Sequence, residues 1–329
     1  MQQTATENLS TQRWVVFVAI LLFALKILAW FLTRSVAILT DALESTVNVI
    51  SGVIGLYSLY IAAKPRDTDH PYGHGKAEFI SAAVEGTLII LSGLFIIYEA
   101  IYHIVYPQPL QQLGWGMVLL ALTGLVNYIM GRLAVRRGKQ NKSLALEASG
   151  RHLQSDTYST TGILIGLGLV YLTGKQVIDP LVALLFSFVI MYTGYRILRK
   201  SLAGIMDEAD EAILRQMVEE LNKVRSVNWT DLHNLRVIKY GSVLHIDCHL
   251  TVPWYFNVKE AHHEIDVLRT NIRSSFGNAI DLFVHSDGCE SFSCPLCAKT
   301  DCKVRQQPFV RQIEWTLENL QSDQKHRLP

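Results

Sequence analysis

The sequence predicts a membrane α-helical protein in which six transmembrane helices precede a cytoplasmic α+β domain. Three observations predict it. Half of the 329 residues are apolar and only 18% are charged. Before residue 200 the charges gather in short clusters between long apolar runs, whereas beyond about residue 205 they spread evenly. The evenly charged part then switches between helical and strand periodicity, which a spanning segment does not do.

A span needs roughly 20 residues at a rise of about 1.5 Å per residue. The windows 14–33, 36–62, 78–104, 113–135, 144–173 and 178–199 meet that length. The first is not a cleavable signal, because its apolar run is too long and leads straight into the second with no small-residue cleavage site. Basic residues set the orientation. Lys64, Arg66 and Lys76 follow the second window, Arg132, Arg136, Arg137, Lys139 and Lys142 follow the fourth, and Arg196, Arg199 and Lys200 follow the sixth. The opposite connections carry Arg34 and Lys175 only. By the positive-inside rule both termini are expected to be cytoplasmic, in a multi-pass protein of the cytoplasmic membrane whose partner is the lipid bilayer. A net charge of +1 with no basic domain argues against nucleic acid.

Beyond the spans, "DEADEAILRQMVEELNKV" (207–224) has helical spacing and an acidic start that suits the helix dipole. "LHNLRVIKYG" and "SVLHIDCHLTV" read as two strands joined at residues 240–242, from their alternation and β-branched content. "NVKEAHHEIDVLRTNIRSSF" opens with Asn257 and Glu260 in capping-box spacing and continues as a helix. "AIDLFVH" (279–285) is the last strand. The order αββαβ implies helices on one face of a sheet, a ferredoxin-like or metallochaperone-like layer. The domains are therefore 1–204, 205–290 and a Cys-containing tail, 291–329, expected to be helical over 308–320 and frayed beyond.

Two windows carry polar stripes. In "TDALESTVNVISG" (40–52), Ser45 lies about 40° and Asn48 about 20° from Asp41 on the helical wheel, with Glu44 about 60° to one side. The fifth window places His152 and Asp156 at i, i+4 on one face. A charge at bilayer depth costs about 2.5 kcal/mol or more, so these groups must face protein or water. Acids and a His from two helices suit a tetrahedral divalent-metal site; a hydrogen-bonded network holding the helices together is the plainer alternative. In "RDTDHPYGHGKAE", Pro71 and Gly73 mark a turn that lets His70 and His74 converge. On the second strand, His245, Asp247 and His249 share one face and Cys248 points to the other. All five cysteines fall on the cytoplasmic side, where thiols stay reduced. Cys289, Cys294, Cys297 and Cys302 suit a compact thiolate metal knuckle, with a reduced flexible tail as the alternative.

Over roughly residues 12–290 these motifs resemble the cation diffusion facilitator family of divalent metal/proton antiporters. The resemblance implies a transport site of two acids four apart on the second helix with His and Asp on the fifth: Asp41, the position of Ser45, His152 and Asp156. Ser45 departs from the family pattern, so either Glu44 replaces the missing acid or the site keeps three strong ligands plus a hydroxyl or water. The resemblance further implies a loop metal site at Asp67, His70 and His74, and a cytoplasmic site at His233, His249, His262, His285 and Asp287. It also implies a hinge salt bridge between Lys76 and Asp207. The implied activity is export of divalent cations by a homodimer through alternating access, with protons as counter-ion and metal as substrate and regulator. Zinc comes first, with iron, cadmium, cobalt and manganese as alternatives. Two rivals carry less: a membrane metalloenzyme needs an HExxH or its equivalent, which is absent, and a metal sensor without transport leaves the intramembrane acids unexplained. The chain is therefore expected not to be an enzyme.

Overall fold

The computed structural model describes residues 2–33, 36–106, 113–173, 175, 178–241 and 243–328, which form two compact units meeting at Met206 and Asp207. The first unit consists of α1 (Gln2–Thr33), α2 (Val36–Ala62), α3 (Ala77–Val105), α4 (Leu113–Gln140), α5 (Leu144–Thr173) and α6 (Ile178–Ile205). Each expected window coincides with one of them. The differences lie at the ends: α1 begins well before the apolar window, and α4 and α6 run on past theirs. Hydropathy marks where lipid stops, whereas Arg, Lys and Gln are good helix formers and let the backbone continue.

Among the described residues, the segments Glu7–Leu28, Ala77–Tyr102 and Met117–Gln140 are each long and apolar enough to cross a membrane. Their outward faces carry exposed Leu94, Phe95, Tyr98, Leu122 and Leu125, surface that lipid rather than water suits. Inside, α3 and α6 approach at backbone distance. A methyl group added at Gly86 would lie 2.9 Å from the carbonyl oxygen of Gly194, so small residues set this contact as they do between membrane helices generally. Phe79, Ala82, Ile89, Ile190 and Ile197 pack around it.

The second unit begins with α7 (Glu211–Lys223), capped by the Asp210 side chain accepting from the Ile213 N–H. Strands β1 (Asp231–Tyr240) and β2 (Val243–Val252) pair antiparallel; α8 (Val258–Phe276) then crosses over to β3 (Ile280–Gly288), which pairs parallel to β2. The expected capping box of Asn257 and Glu260 opens α8. The helices cover one face of the three-stranded sheet through Leu214, Met217, Leu221, Ile246, Leu250 and Leu268. This is the αββαβ layer read from the sequence.

The tail differs from its expectation. Instead of a helix over 308–320, it has a 3-10 helix (Ser291–Leu296), an irregular run, and only the short α9 (Leu317–Gln321). Thr316 supplies the N-cap, so the helix starts after it. Before it, Trp315 is buried against Arg225, whose guanidinium lies 4.0 Å from the indole, and its backbone oxygen accepts from Asn222 Nδ2 at 2.7 Å. Trp315 and Leu320 belong to the same core as the sheet. The end is not frayed either: His326 docks on Asp231. Packing of one large aromatic outweighs the weak helical periodicity of the preceding residues.

Candidate metal centres

The membrane unit joins α2 and α5 through one amide. Asn48 Oδ1 lies 2.6 Å from His152 Nε2, and Asn48 Nδ2 donates to Asp156 Oδ2 at 2.6 Å. His152 and Asn48 are both buried, and His152 Nδ1 has no hydrogen-bond partner among the described residues. The i, i+4 pair on α5 thus meets α2 as the sequence requires, but at Asn48. Ser45, the other expected position on α2, accepts through its hydroxyl from Lys26 Nζ of α1 at 2.8 Å, both groups buried. Ser45 and Asn48 are about 60° apart on the wheel, enough to aim one at α1 and the other at α5. The side chains of Asp41 and Glu44 lie outside the described residues, although the α2 backbone carries both positions. Glu44 precedes Asn48 by one turn on the same face, whereas Asp41 is two turns away, ~10 Å along the axis.

The loop between α2 and α3 brings Asp67, His70 and His74 together with ligand atoms within 4.8 Å of one another. Asp67 Oδ1 accepts from the His70 N–H at 2.7 Å and its Oδ2 lies 3.3 Å from His74 Nε2. The turn closes by Gly73 N–H donating to His70 O at 2.9 Å, with Gly73 at φ 93°, a conformation that favours glycine. The His70 backbone N–H holds the Asp67 carboxyl below the usual carboxylate range, followed by weaker help from the His70 and His74 rings. His74 is mostly buried and its Nδ1 has no hydrogen-bond partner among the described residues. Lys76, one step further, donates to Ile205 O at 3.4 Å; its expected partner Asp207 belongs to the other unit.

In the soluble unit, strand register lines up His233, His249 and His285 as one row across β1, β2 and β3. Neighbouring rings lie 5.0 and 4.7 Å apart. Asp287, two residues beyond His285 on the same strand face, sends Oδ2 to within 3.3 Å of His249 Nδ1 and 3.7 Å of His233 Nε2. His233, His249 and Asp287 offer ligand atoms within 4.8 Å of one another, and His285 Nε2 is 3.6 Å from Asp287 Oδ1. Asp287 Oδ2 is buried with no hydrogen-bond partner among the described residues. A divalent cation would satisfy such an orphaned carboxylate oxygen, so the residues fit a metal. His262 is not brought to this row: it is exposed on α8, 3.7 Å from Asp266 on its own helix.

Several participating residues escaped the sequence reading. Lys26 is a cation inside an apolar window, a signal that was there to be followed, whereas Asn48 was read as part of the polar stripe but not as the partner of His152 and Asp156. The chain end also closes on the histidine row: Lys325 Nζ lies 3.9 Å from Asp287 Oδ1, and His326 Nδ1 bonds Asp231, which lies 3.5 Å from His233 Nδ1. Burial alone would raise the Asp231 carboxyl, but hydrogen bonds from His233 and His326 together outweigh it and hold it well below the usual range. Cys248 is core: burial pushes its thiol up to about 12, which leaves it inert. The other four cysteines, all free thiols, gather at one edge of the unit, outside the 4.8 Å spacing that unites the two groups above.

Residues 14–206 match the model of the cation efflux transmembrane domain, and residues 206–289 match that of the cation efflux protein cytoplasmic domain. Among curated relatives, an uncharacterized transporter of Synechocystis sp., sll1263, is 33% identical over 254 residues, 77% of this chain and 82% of its own length. The cation-efflux pump FieF of Pectobacterium atrosepticum is 30% identical over 275 residues, covering 82% of this chain and 89% of its own. FieF of Escherichia coli O1:K1 is 30% identical over 277 residues with the same coverage.

Proposed function

The chain belongs to the cation efflux family, the cation diffusion facilitators, multi-pass membrane transporters of divalent metal ions and not enzymes, and we propose that it exports zinc as a homodimeric metal/proton antiporter. The observation that carries the site is the Asn48 amide held against both His152 and Asp156. In this reading Asn48 Oδ1, His152 Nε2 and an Asp156 oxygen are three of the four ligands, and Glu44, one turn before Asn48, is the fourth. Asp41 then stands outside the ligand set. Two carboxylates offset the charge of a divalent ion, and the imidazole favours zinc over hard cations that prefer oxygen alone.

Coupling follows from the donors. Each ligand atom that holds the metal also takes a proton, except the amide oxygen, so metal and protons exclude one another. On the side from which metal enters, His152 is neutral and the acids are ionised. Protons entering from the opposite side displace the ion and keep the empty site from recapturing it. Alternating access converts this exclusion into exchange. In this reading, which the positive-inside pattern supports, both termini and the histidine row lie on the cytoplasmic side of the cytoplasmic membrane. There a metal at His233, His249 and Asp287 would register cytoplasmic load, and the soluble domain would mediate dimerisation. Lys76 and Asp207 would tie the two units at the hinge.

The test is metal-driven proton flux in proteoliposomes for wild type, Asn48→Ala, Ser45→Ala and Asn48→Asp, with zinc and manganese as competing substrates. Asn48→Ala should lose about ten-fold or more in transport, Ser45→Ala less than about two-fold, and Asn48→Asp should change the zinc-to-manganese ratio. Equal losses at Ser45 and Asn48 would return the site to the alternative register.

A further inference from the structure

Cys289, Cys294, Cys297 and Cys302 lie at or beyond the end of the residues that match the family's cytoplasmic domain, and neither transport nor the histidine row uses them. Their spacing is C-x4-C-x2-C-x4-C. Between Cys289 and Thr316 the only regular element is the six-residue 3-10 helix, yet this stretch is folded. So short an irregular segment has little apolar surface of its own to hold it, and such segments usually need a covalent or metal staple.

The backbone fixes the cysteines in one neighbourhood. The Cys289 N–H donates to Val252 O at 2.9 Å, fixing the first cysteine beside the end of β2. Cys294, Pro295, Leu296 and Cys297 make a tight turn, closed by the Cys297 N–H on Cys294 O at 3.3 Å. The Arg305 guanidinium then donates to Cys294 O at 2.8 Å, Cys297 O at 3.0 Å and Lys299 O at 2.7 Å, wrapping the following chain around that turn. Cys294, Cys297 and Cys302 all lie near enough to act electrostatically on Cys289. Cys297 Sγ accepts from Thr230 Oγ1 at 3.7 Å and lies within electrostatic reach of Arg225, donors of the kind that surround ligating thiolates. A cysteine side chain reorients about a single bond, χ1, so thiols already gathered can close on a shared ion.

We propose that Cys289, Cys294, Cys297 and Cys302 form a tetrathiolate site for zinc that folds the tail onto the soluble unit. Four thiolates in a reducing compartment select a soft or borderline divalent ion over the oxygen-seeking ones, and a closed four-ligand shell is structural rather than exchangeable. The structural consequence is remote from the cysteines: the tail they anchor continues through Trp315 to Lys325 and His326, which cover the histidine row.

Metal analysis of the full-length protein in detergent, after dialysis against a weak chelator, tests this. Wild type should retain about one zinc ion per chain, the Cys294→Ser/Cys297→Ser variant should lose it, and the His233→Ala/His249→Ala variant should keep it. If the cysteine variant does not fold, wild type titrated with an organomercurial should release the same zinc to an indicator dye. Cobalt substitution should give thiolate-to-cobalt charge-transfer absorption. Retention of equal zinc by wild type and the cysteine variant, no release by the mercurial, or recovery of these cysteines as disulfides under non-reducing alkylation would each overturn the proposal.

Discussion

The α2–α5 centre and the histidine row use the same donor types on opposite scaffolds. In the membrane unit, His152 and Asp156 sit one turn apart on one helix and face a single amide from another. In the soluble unit, His233, His249 and His285 come from three different strands and meet because register aligns them. A helix offers neighbouring positions at angles of 40–60°, so a small rotation exchanges one candidate for the next. A strand offers only two faces, and a register row is all or nothing. The helical site is therefore open to retuning by substitution, while the strand site tolerates no slip. Their surroundings differ in the same sense: α2 and α5 are flanked by lipid-suited surface, whereas the row is roofed by the chain's own end.

The comparison breaks most sharply at the membrane centre. His152→Ala or Asp156→Ala should reduce zinc flux in proteoliposomes by about 100-fold or more, since each removes a proposed ligand. Flux within a few-fold of wild type in both variants would remove α5 from the transport path. At the row, His249→Ala should abolish the zinc binding that the row itself contributes, measured calorimetrically. Transport should then fall by only about 5–20-fold, the size of an ordinary coupling between sites. Equal losses at His249 and His152 would mean that the two centres act as one path instead of as site and sensor. The loop should matter least. Asp67→Asn removes the carboxylate shared by His70 and His74 but leaves the turn intact, and a loss of about two-fold in apparent zinc affinity is expected because Asp67 and His70 are half in water.

These contrasts mirror what the residues alone disclosed. The six windows were legible because lipid imposes a length and an exclusion of charge, and αββαβ was legible because periodicity switches within it. His152 and Asp156 were placed correctly on one face by helical spacing alone. The sequence set Asp41 and Ser45 opposite them and the described side chains add Asn48, because Asp41, Glu44, Ser45 and Asn48 all fall within one polar sector and the angle alone does not choose between α1 and α5. Height along the axis decides it, and that depends on how the two helices pack. Lys26, a cation within an apolar window, was a sign that one polar residue on α2 was already engaged elsewhere. The tail was illegible for a different reason. Its structure rests on Trp315 against Arg225 and on a docked terminus, contacts spanning about 90 residues of sequence, and local periodicity carries no trace of them.

A last effect, expected in stability and not in transport, probes the roof over the row. His326 gains a hydrogen bond from its ring to Asp231, which raises its proton affinity above the ordinary value of 6.5, against an opposing effect of burial. A group whose folded value is raised contributes fully below its unfolded value and loses that contribution as pH climbs through the folded one. Asp231 behaves oppositely: its folded value is depressed below 3.8, so its contribution is present above that value and fades in stronger acid. The pair is therefore strongest between about pH 4 and 6.5 and weakens as the imidazolium loses its proton at higher pH. With a chelator present to keep the row free of metal, His326→Ala should lower the melting temperature reported by tryptophan fluorescence most at pH 5–6. That corresponds to roughly 1.5–3 kcal/mol for a hydrogen bond to a charged group, and the deficit should shrink by pH 8–9. A deficit that is flat from pH 5 to 9 would show that His326 holds the tail by shape alone. In that case the roof over the histidine row is as insensitive to protons as the strand register beneath it, and proton sensitivity belongs to the membrane centre.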